Sequence, residues 1–252
     1  MFILENYSTA VLFCFITMIC WGSWANTQKL AANTWRFELF YWDYVIGISL
    51  TALVFAFTLG SHGVAGRGFV ADLLQADNRN LLSALLGGVI FNAANILLVA
   101  AIAIAGMSVA FPVGIGIALV LGVLVNYINA PQSNAVFLFG GVALIAVAIM
   151  LNARAYKKLS NANTGPSSRG LALSVAAGVL MGFFYRFVAK AMFSDFMLPE
   201  AGKLSPYSAM VFFAVGVLIS NFIFNTDIRK SPFVGGAVSF SQYFKGGFRK
   251  HL

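Results

Sequence analysis

The sequence predicts an all-α, polytopic integral membrane protein, and three observations carry that prediction. Of the 252 residues, 60% are hydrophobic and 10% are charged, against about 25% charged in a typical soluble domain. Mean hydropathy is +0.85. The apolar residues also fall in blocks of about 20, the length at which a helix crosses a hydrocarbon core about 30 Å thick. A soluble enzyme of this size could not hide so much apolar surface. A membrane barrel would read as alternating segments of about ten residues instead.

Seven spans follow in order. The N-terminal residues carry Glu5 and no basic residue, so the block after them is a membrane helix and not a cleavable signal. This first span covers 8–25 and holds both cysteines, Cys14 and Cys20, which are six apart on one helix and cannot pair. The second span covers 40–59. The third, 81–103, and the fourth, 108–128, are joined by a tight turn at Ala105-Gly106-Met107 and should be antiparallel neighbours. The fifth covers 136–151. Residues 153–170, rich in Asn, Thr, Gly, Pro and Ser, form the linker-like stretch. The sixth span, 171–193, and the seventh, 205–224, come after it. The stretch from Thr226 ends in Gly246-Gly247-Phe248-Arg249-Lys250-His251-Leu252 and reads as the basic flank before another span. The expected organisation is therefore a five-helix unit over 1–152, a linker over 153–170, and the start of a second unit over 171–252. A faint internal likeness supports a repeat: Cys20-Trp21-Gly22 leads to Lys29 as Met181-Gly182-Phe183 leads to Lys190. An odd number of spans per repeat inverts the two halves in the membrane.

The chain carries 16 Lys and Arg against 8 Asp and Glu, a net charge of +8. In a soluble protein that balance would suggest nucleic acid. Here the cations lie in loops and report orientation by the positive-inside rule. With the N-terminus outside, the inner loops hold Lys29, Arg36, Arg154, Lys157, Lys158, Arg169, Arg229, Lys230, Lys245, Arg249 and Lys250, and the outer loops hold Arg67, Arg79 and Lys203. This 11-to-3 imbalance places the 153–170 loop in the cytoplasm and the protein in the inner or plasma membrane, with lipid as its standing partner. His62 and His251 fall in loops with no Cys/His cluster, so no metal site is expected.

Asn92 and Asn95 lie near the middle of the third span, three apart and on one face. An amide in hydrocarbon needs partners. It either binds a polar uncharged solute or glues helices together. Arg186 and Lys190 share a face one turn apart. Such a pair calls for an anion or a water-filled cavity opposite, and Arg186 is read as facing a solute pathway. Trp21 and Tyr185 are candidates to stack on a solute ring, whereas Trp24 reads as part of the interfacial aromatic belt. Glu38 and Asp43 are the acids at the mouth of the second span and the candidates to carry a coupling proton or other ion. Asp43 lies deeper, among Tyr41, Trp42 and Tyr44, which read as belt residues. Pro112, Gly114 and Gly116 mark either a broken helix or a close-packed one.

Four stretches carry a resemblance: residues 20–29 (CWGSWANTQK), 36–44 (RFELFYWDY), 87–95 (GGVIFNAAN) and 105–116 (AGMSVAFPVGIG). Together they resemble the ten-helix branch of the drug/metabolite transporter superfamily, and within it the glucose/ribose porters and ureide permeases, whose bacterial members are often labelled multidrug permeases. The resemblance implies ten helices in two inverted five-helix repeats, with three helices beyond Leu252. It implies a secondary transporter working by alternating access, here with a sugar put first and a ureide, nucleobase or drug as the alternative. A chain ending at Leu252 would work either as seven helices alone or as a homodimer that completes the second repeat. The central loop lacks a G-x-x-x-x-G-K-[ST] pattern, so no nucleotide or other cofactor is expected. A seven-helix receptor is the competing class, although the seventh span has no lysine to hold retinal. An intramembrane enzyme would need a nucleophile–base pair or a metal cluster at depth, and the spans offer neither.

Overall fold

In the computed structural model, the described residues are 1–31, 34–63, 65–129, 134–159, 167–233, 235–247 and 251. Among them the chain forms helices and no named strand. The helices are α1 (Tyr7–Ala31), α2 (Phe37–Phe57), α3 (Phe69–Gln75), α4 (Asn78–Ala105), α5 (Met107–Asn129), α6 (Ala135–Leu159), α7 (Ser168–Ala191), α8 (Pro206–Lys230) and α9 (Ser241–Phe244). The seven expected spans correspond to α1, α2 and α4 to α8. Six of these are long and apolar enough to cross a membrane, and the apolar run of α6 is the shorter stretch Ala135–Leu151. The chain is thus a polytopic helical membrane protein.

Polar side chains mark several of the starts. Asn6 Oδ1 accepts from the amides of Ser8 and Thr9 at the head of α1, and Asn134 Oδ1 accepts from Val136 N at the head of α6. Ser205 caps α8 by accepting from Ser208 N, with Pro206 just inside, where its missing N–H costs nothing. Gly106, at φ +80°, is the single residue between α4 and α5. Several helices outrun their apolar runs: α1 continues to Ala31, α6 to Leu159 and α8 to Lys230. Hydropathy marks where a span leaves lipid, but backbone hydrogen bonding continues through helix-forming polar residues. The predicted linker shrinks accordingly, and its centre, 160–166, lies outside the described residues.

Small residues set the packing. α7 lies along both α4 and α5, and α8 lies along α2 and α4. On α7, Gly170, Ser174, Gly178 and Gly182 recur every fourth residue and line one face. A Cβ on Gly178 would press on Gly114 O and Ile117, and one on Gly182 would press on Leu121. The α4–α8 seam is closer still. A Cβ on Gly88 would fall on Phe213 O, and one on Gly216 would fall on Leu85 O. Such backbone approach is how helices associate where lipid removes the hydrophobic drive between them.

Contacts between loops fix which helix ends lie together. Phe2 N donates to Leu59 O, and the α3 segment is bound to residues 199–205. At this α3 end, Asp72 is fully buried. It accepts from Arg67 Nε at 3.0 Å and from Ser205 N at 2.7 Å, while Arg67 also donates to the carbonyls of Pro199, Glu200 and Lys203. Arg67, counted above as a topology charge, is therefore a structural clamp. At the opposite end, the stretch after α8 packs against the start of α2. Val238 N donates to Arg229 O, and Val238 packs with Trp35 and Leu39. We call this the tail end. Ala105 and Gly170 meet, so α4 finishes where α7 begins. Gly116 touches Ile149 and Tyr127 touches Phe139, so α6 runs antiparallel to α5. The contacts describe seven long helices of alternating direction, six of them long and apolar enough to cross a membrane.

Candidate functional site

A cavity of about 460 Å³ opens between α1, α2, α4, α5, α7 and α8. Aromatic rings form its walls: Trp21 and Trp24 from α1, Tyr44 from α2, Phe91 from α4, and Phe184 and Tyr185 from α7. Asn95 is the amide among them. The α4 sequence puts it there because residues 91, 92 and 95 share one helical face, and Gly87 and Gly88 draw α7 and α8 close on either side.

Asn95 does not stand alone. Its Nδ2 donates to Tyr41 Oη at 3.1 Å, and Tyr41 donates to Asn92 Oδ1 at 2.7 Å. Asn92 Nδ2 donates to Ser220 Oγ at 2.9 Å and to Val217 O at 3.3 Å, and Ser220 Oγ donates to Gly216 O. The relay runs from the cavity wall across α4 and α2 into α8. Tyr41 and Asn92 have no exposed surface and Asn95 has 4%. Asn92 therefore glues helices, and Asn95 is the member that reaches the cavity. A second tie lies one turn nearer the tail end, where Trp42 Nε1 donates to Asn225 Oδ1 and Asn225 Nδ2 donates to Glu38 O.

Several expectations change. Tyr41 and Trp42, read as belt residues, are buried inside the bundle at 0% and 5% exposure. Trp24, also read as belt, lines the cavity beside Trp21. Its ring lies 5.6 Å from Tyr44, and Tyr44, Tyr41 and Phe37 continue the aromatic stack toward the tail end at 5.4 and 5.2 Å. The indole Nε1 of Trp24 is buried with no hydrogen-bond partner among the described residues. α5 runs unbroken through Pro112, so the broken-helix reading is replaced by close packing at Gly114, where a Cβ would press on Leu98. Pro112 and Gly116 face a separate apolar cleft toward α6.

Glu38 and Asp43 do not line the cavity. Glu38 is buried and ion-paired with Arg36 at 2.8 Å, which raises the Arg36 guanidinium above its ordinary range. Asp43 sits at the tail end. Its Oδ2 accepts from Trp35 Nε1 at 3.1 Å, and its Oδ1 accepts from Tyr243 Oη at 2.6 Å and lies 2.9 Å from His251 Nδ1. Burial, and then the bond to Asp43, push the Tyr243 hydroxyl well above its ordinary value. These tail residues gave no signal in the sequence, because a partner 200 positions away leaves no periodicity.

Arg186 stands outside the central cavity. It lines a second cavity of about 770 Å³ at the α3 end, with Lys190, Lys203, Asn126, Tyr127 and Ser194. Tyr185 lines both cavities. A small cleft bordered by Trp21, Asn126 and Tyr185 lies between them. Among the described residues no cluster of His, Cys, Asp or Glu could hold a metal ion.

The model of one family, ureide permease, matches residues 40–168, which is 129 of the 252 residues. The chain belongs to the ureide permease family. Among similar proteins, Ureide permease 1 of Arabidopsis thaliana is 28% identical over 159 residues, covering 62% of this chain and 41% of that protein. Ureide permease 2 of the same plant is 27% identical over 168 residues, covering 65% and 42%. The probable ureide permease A3 of Vigna unguiculata is 29% identical over 154 residues, covering 59% and 41%. The chain thus spans about two-fifths of the length of the relatives it matches. No solved structure matches. The matched region includes α2 from Phe40 onward and all of α4, α5 and α6, and so Tyr41, Asn92 and Asn95.

Proposed function

We propose that the protein is a permease that carries a small ureide across the membrane through the Asn95 cavity. The observation that carries this reading is an amide held in fixed orientation by Tyr41 and presented among flat aromatic walls. The ureido group is a compact, planar, uncharged array of N–H and C=O groups, whatever else the solute carries. It can stack on Trp21, Trp24 or Tyr185 while an amide reads one polar edge. A sugar, the solute put first from sequence, presents hydroxyls all round and needs more polar partners than this wall offers. The names of the relatives also favour ureide over sugar. The wider membership in the drug/metabolite transporter superfamily, the two inverted five-helix repeats divided near 153–170, and alternating access between them are part of the same proposal.

The test is uptake of labelled hydantoin, a cyclic ureide, into vesicles carrying the protein, with glucose and uracil in parallel. Hydantoin uptake that falls by roughly tenfold in Asn95→Ala, as expected for loss of a solute hydrogen bond, supports the reading. Glucose uptake in its place overturns it. The proposal keeps the N-terminus outside and 153–170 inside, and a reporter fused at Asn163 that reads as external overturns that orientation. Coupling to a proton would run through Asp43. Asp43→Asn should then abolish gradient-driven uptake and leave solute exchange intact, and normal driven uptake in that variant removes Asp43 from the mechanism.

A further inference from the structure

The cavity at the α3 end is cationic in a way that orientation signalling does not explain. Arg186 and Lys190 lie one turn apart on α7, both exposed, and both line it. Lys203 joins them from the loop before α8, and its own partner is Glu200 at 3.1 Å. Neither Arg186 nor Lys190 has an ion pair among the described residues, and no acid lines this cavity. The rest of the wall includes Tyr127 and Asn126, whose Nδ2 donates one hydrogen to Gly122 O, and Ser194, whose hydroxyl donates to Glu200, the acid that also pairs with Lys203. Two like charges at i, i+4 destabilise one another, and cations in a membrane helix are retained where they line a water-filled path or meet a counter-charge. Both arise at the end of the bundle that the loop charges mark as poor in cations, so the positive-inside rule works against them.

We propose that Arg186 and Lys190 form an anion subsite that holds the carboxylate of a solute at the mouth of the route to the central cavity. The proposal rests on the permease reading for its direction of travel, since Tyr185 belongs to both cavities, but binding at the subsite does not require transport. The guanidinium of Arg186 matches a carboxylate in two parallel hydrogen bonds, and Lys190 adds a second charge one turn further out. The same chemistry would suit a lipid phosphate. The solute is favoured because Tyr185 also lines the central cavity, and the cleft bordered by Trp21, Asn126 and Tyr185 lies between the two.

The experiment is amine acylation of Lys190, read by mass spectrometry on the protein in nanodiscs of zwitterionic lipid, with the exposed Lys230 at the opposite end as internal control. The probes are N-carbamoylglycine and hydantoin, an open-chain ureide carboxylate and its neutral ring-closed counterpart. N-carbamoylglycine should slow Lys190 acylation several-fold and leave Lys230 unchanged, and hydantoin should do neither. Arg186→Gln should remove that protection, weakening it by roughly tenfold as expected for loss of a charge-assisted hydrogen bond. Because both side chains are exposed, the variant should keep its fold, which size-exclusion profile and unfolding temperature check. Equal protection by the two probes, or none by either, overturns the subsite. Protection that comes only from phosphatidylglycerol in the nanodisc assigns the cations to lipid and also overturns it. Hydantoin uptake is measured separately, so failure of the permease reading leaves the labelling result standing.

Discussion

Replacing Tyr41 by Phe removes one oxygen from the centre of the polar relay. That hydroxyl accepts from Asn95 and donates to Asn92, and it has no exposed surface. Asn92 keeps Ser220 and Val217 through its Nδ2 but loses the donor to its Oδ1. Asn95 Nδ2 loses its partner outright. A buried polar group left unpaired costs about 1–3 kcal/mol in soluble proteins. Hydrogen bonds between membrane helices average nearer 0.6 kcal/mol, because the separated helices find other partners. Two such losses give an expected destabilisation of about 1–4 kcal/mol, which thermal or denaturant unfolding in detergent reads directly. The functional consequence is distinct, since a freed Asn95 amide can turn in the cavity and solute affinity should fall by several-fold. Tyr207→Phe is the control, because its hydroxyl bonds Phe2 O in an exposed position and its loss should cost well under 1 kcal/mol. A Tyr41→Phe protein with unchanged stability and unchanged solute affinity would refute the relay as the device that aims Asn95.

Other expectations concern packing and the two ends. Gly216→Val should destroy the α4–α8 seam, giving aggregated protein on size-exclusion chromatography, whereas Gly47→Ala, whose added Cβ meets nothing within 4 Å, should be neutral or slightly stabilising, by up to about 1 kcal/mol. Asp72→Ala leaves Arg67 Nε and Ser205 N without their acceptor at the α3 end and should cost about 3 kcal/mol in unfolding free energy; a loss under about 1 kcal/mol would remove it from the structural core. Tyr243 is held above its ordinary value of 10.0, so its neutral form stabilises the docked tail below that value and the contribution is lost as pH rises through the elevated one. Limited proteolysis within 235–247 should accelerate only in strong alkali, and Tyr243→Phe, which removes both the bond to Asp43 and the titrating group, should accelerate it at every pH and abolish the alkaline step.

The spans were legible because the solvent of the protein writes them into composition. Lipid demands about 20 apolar residues per crossing, and no tertiary contact is needed to see that. Asn92 and Asn95 were legible for the same reason, as amides in hydrocarbon are conspicuous. Their division of labour was not, because it depends on Tyr41, and a tyrosine near the start of a span has the same address whether it faces headgroups or the core. α3 was missed since seven residues set by a buried Asp72 carry no membrane signal. The docking of the tail was not legible, because the side chains that hold it, Tyr243 and His251, find Asp43 only in three dimensions. The cationic cavity was half legible: Arg186 and Lys190 stand out along the sequence, but the sequence does not tell that they share a wall with Lys203.

The long-range ties impose an order on biosynthesis. Asn92 waits for Ser220, Trp42 for Asn225, and Asp72 for Ser205, each more than 120 residues later in the chain. During synthesis α1 to α6 therefore precede the partners of Asn92 Nδ2, the Trp42 indole and Asp72 Oδ2, with Tyr41 and Arg67 meeting only part of their hydrogen bonding, and α7 has still to settle against both α4 and α5. The early helices must stay loosely associated, or be sheltered, until α8 has emerged. A ribosome stalled before Ser205 should hold a bundle that proteases and chaperones treat as unfinished, and release of α8 should convert it in one cooperative step.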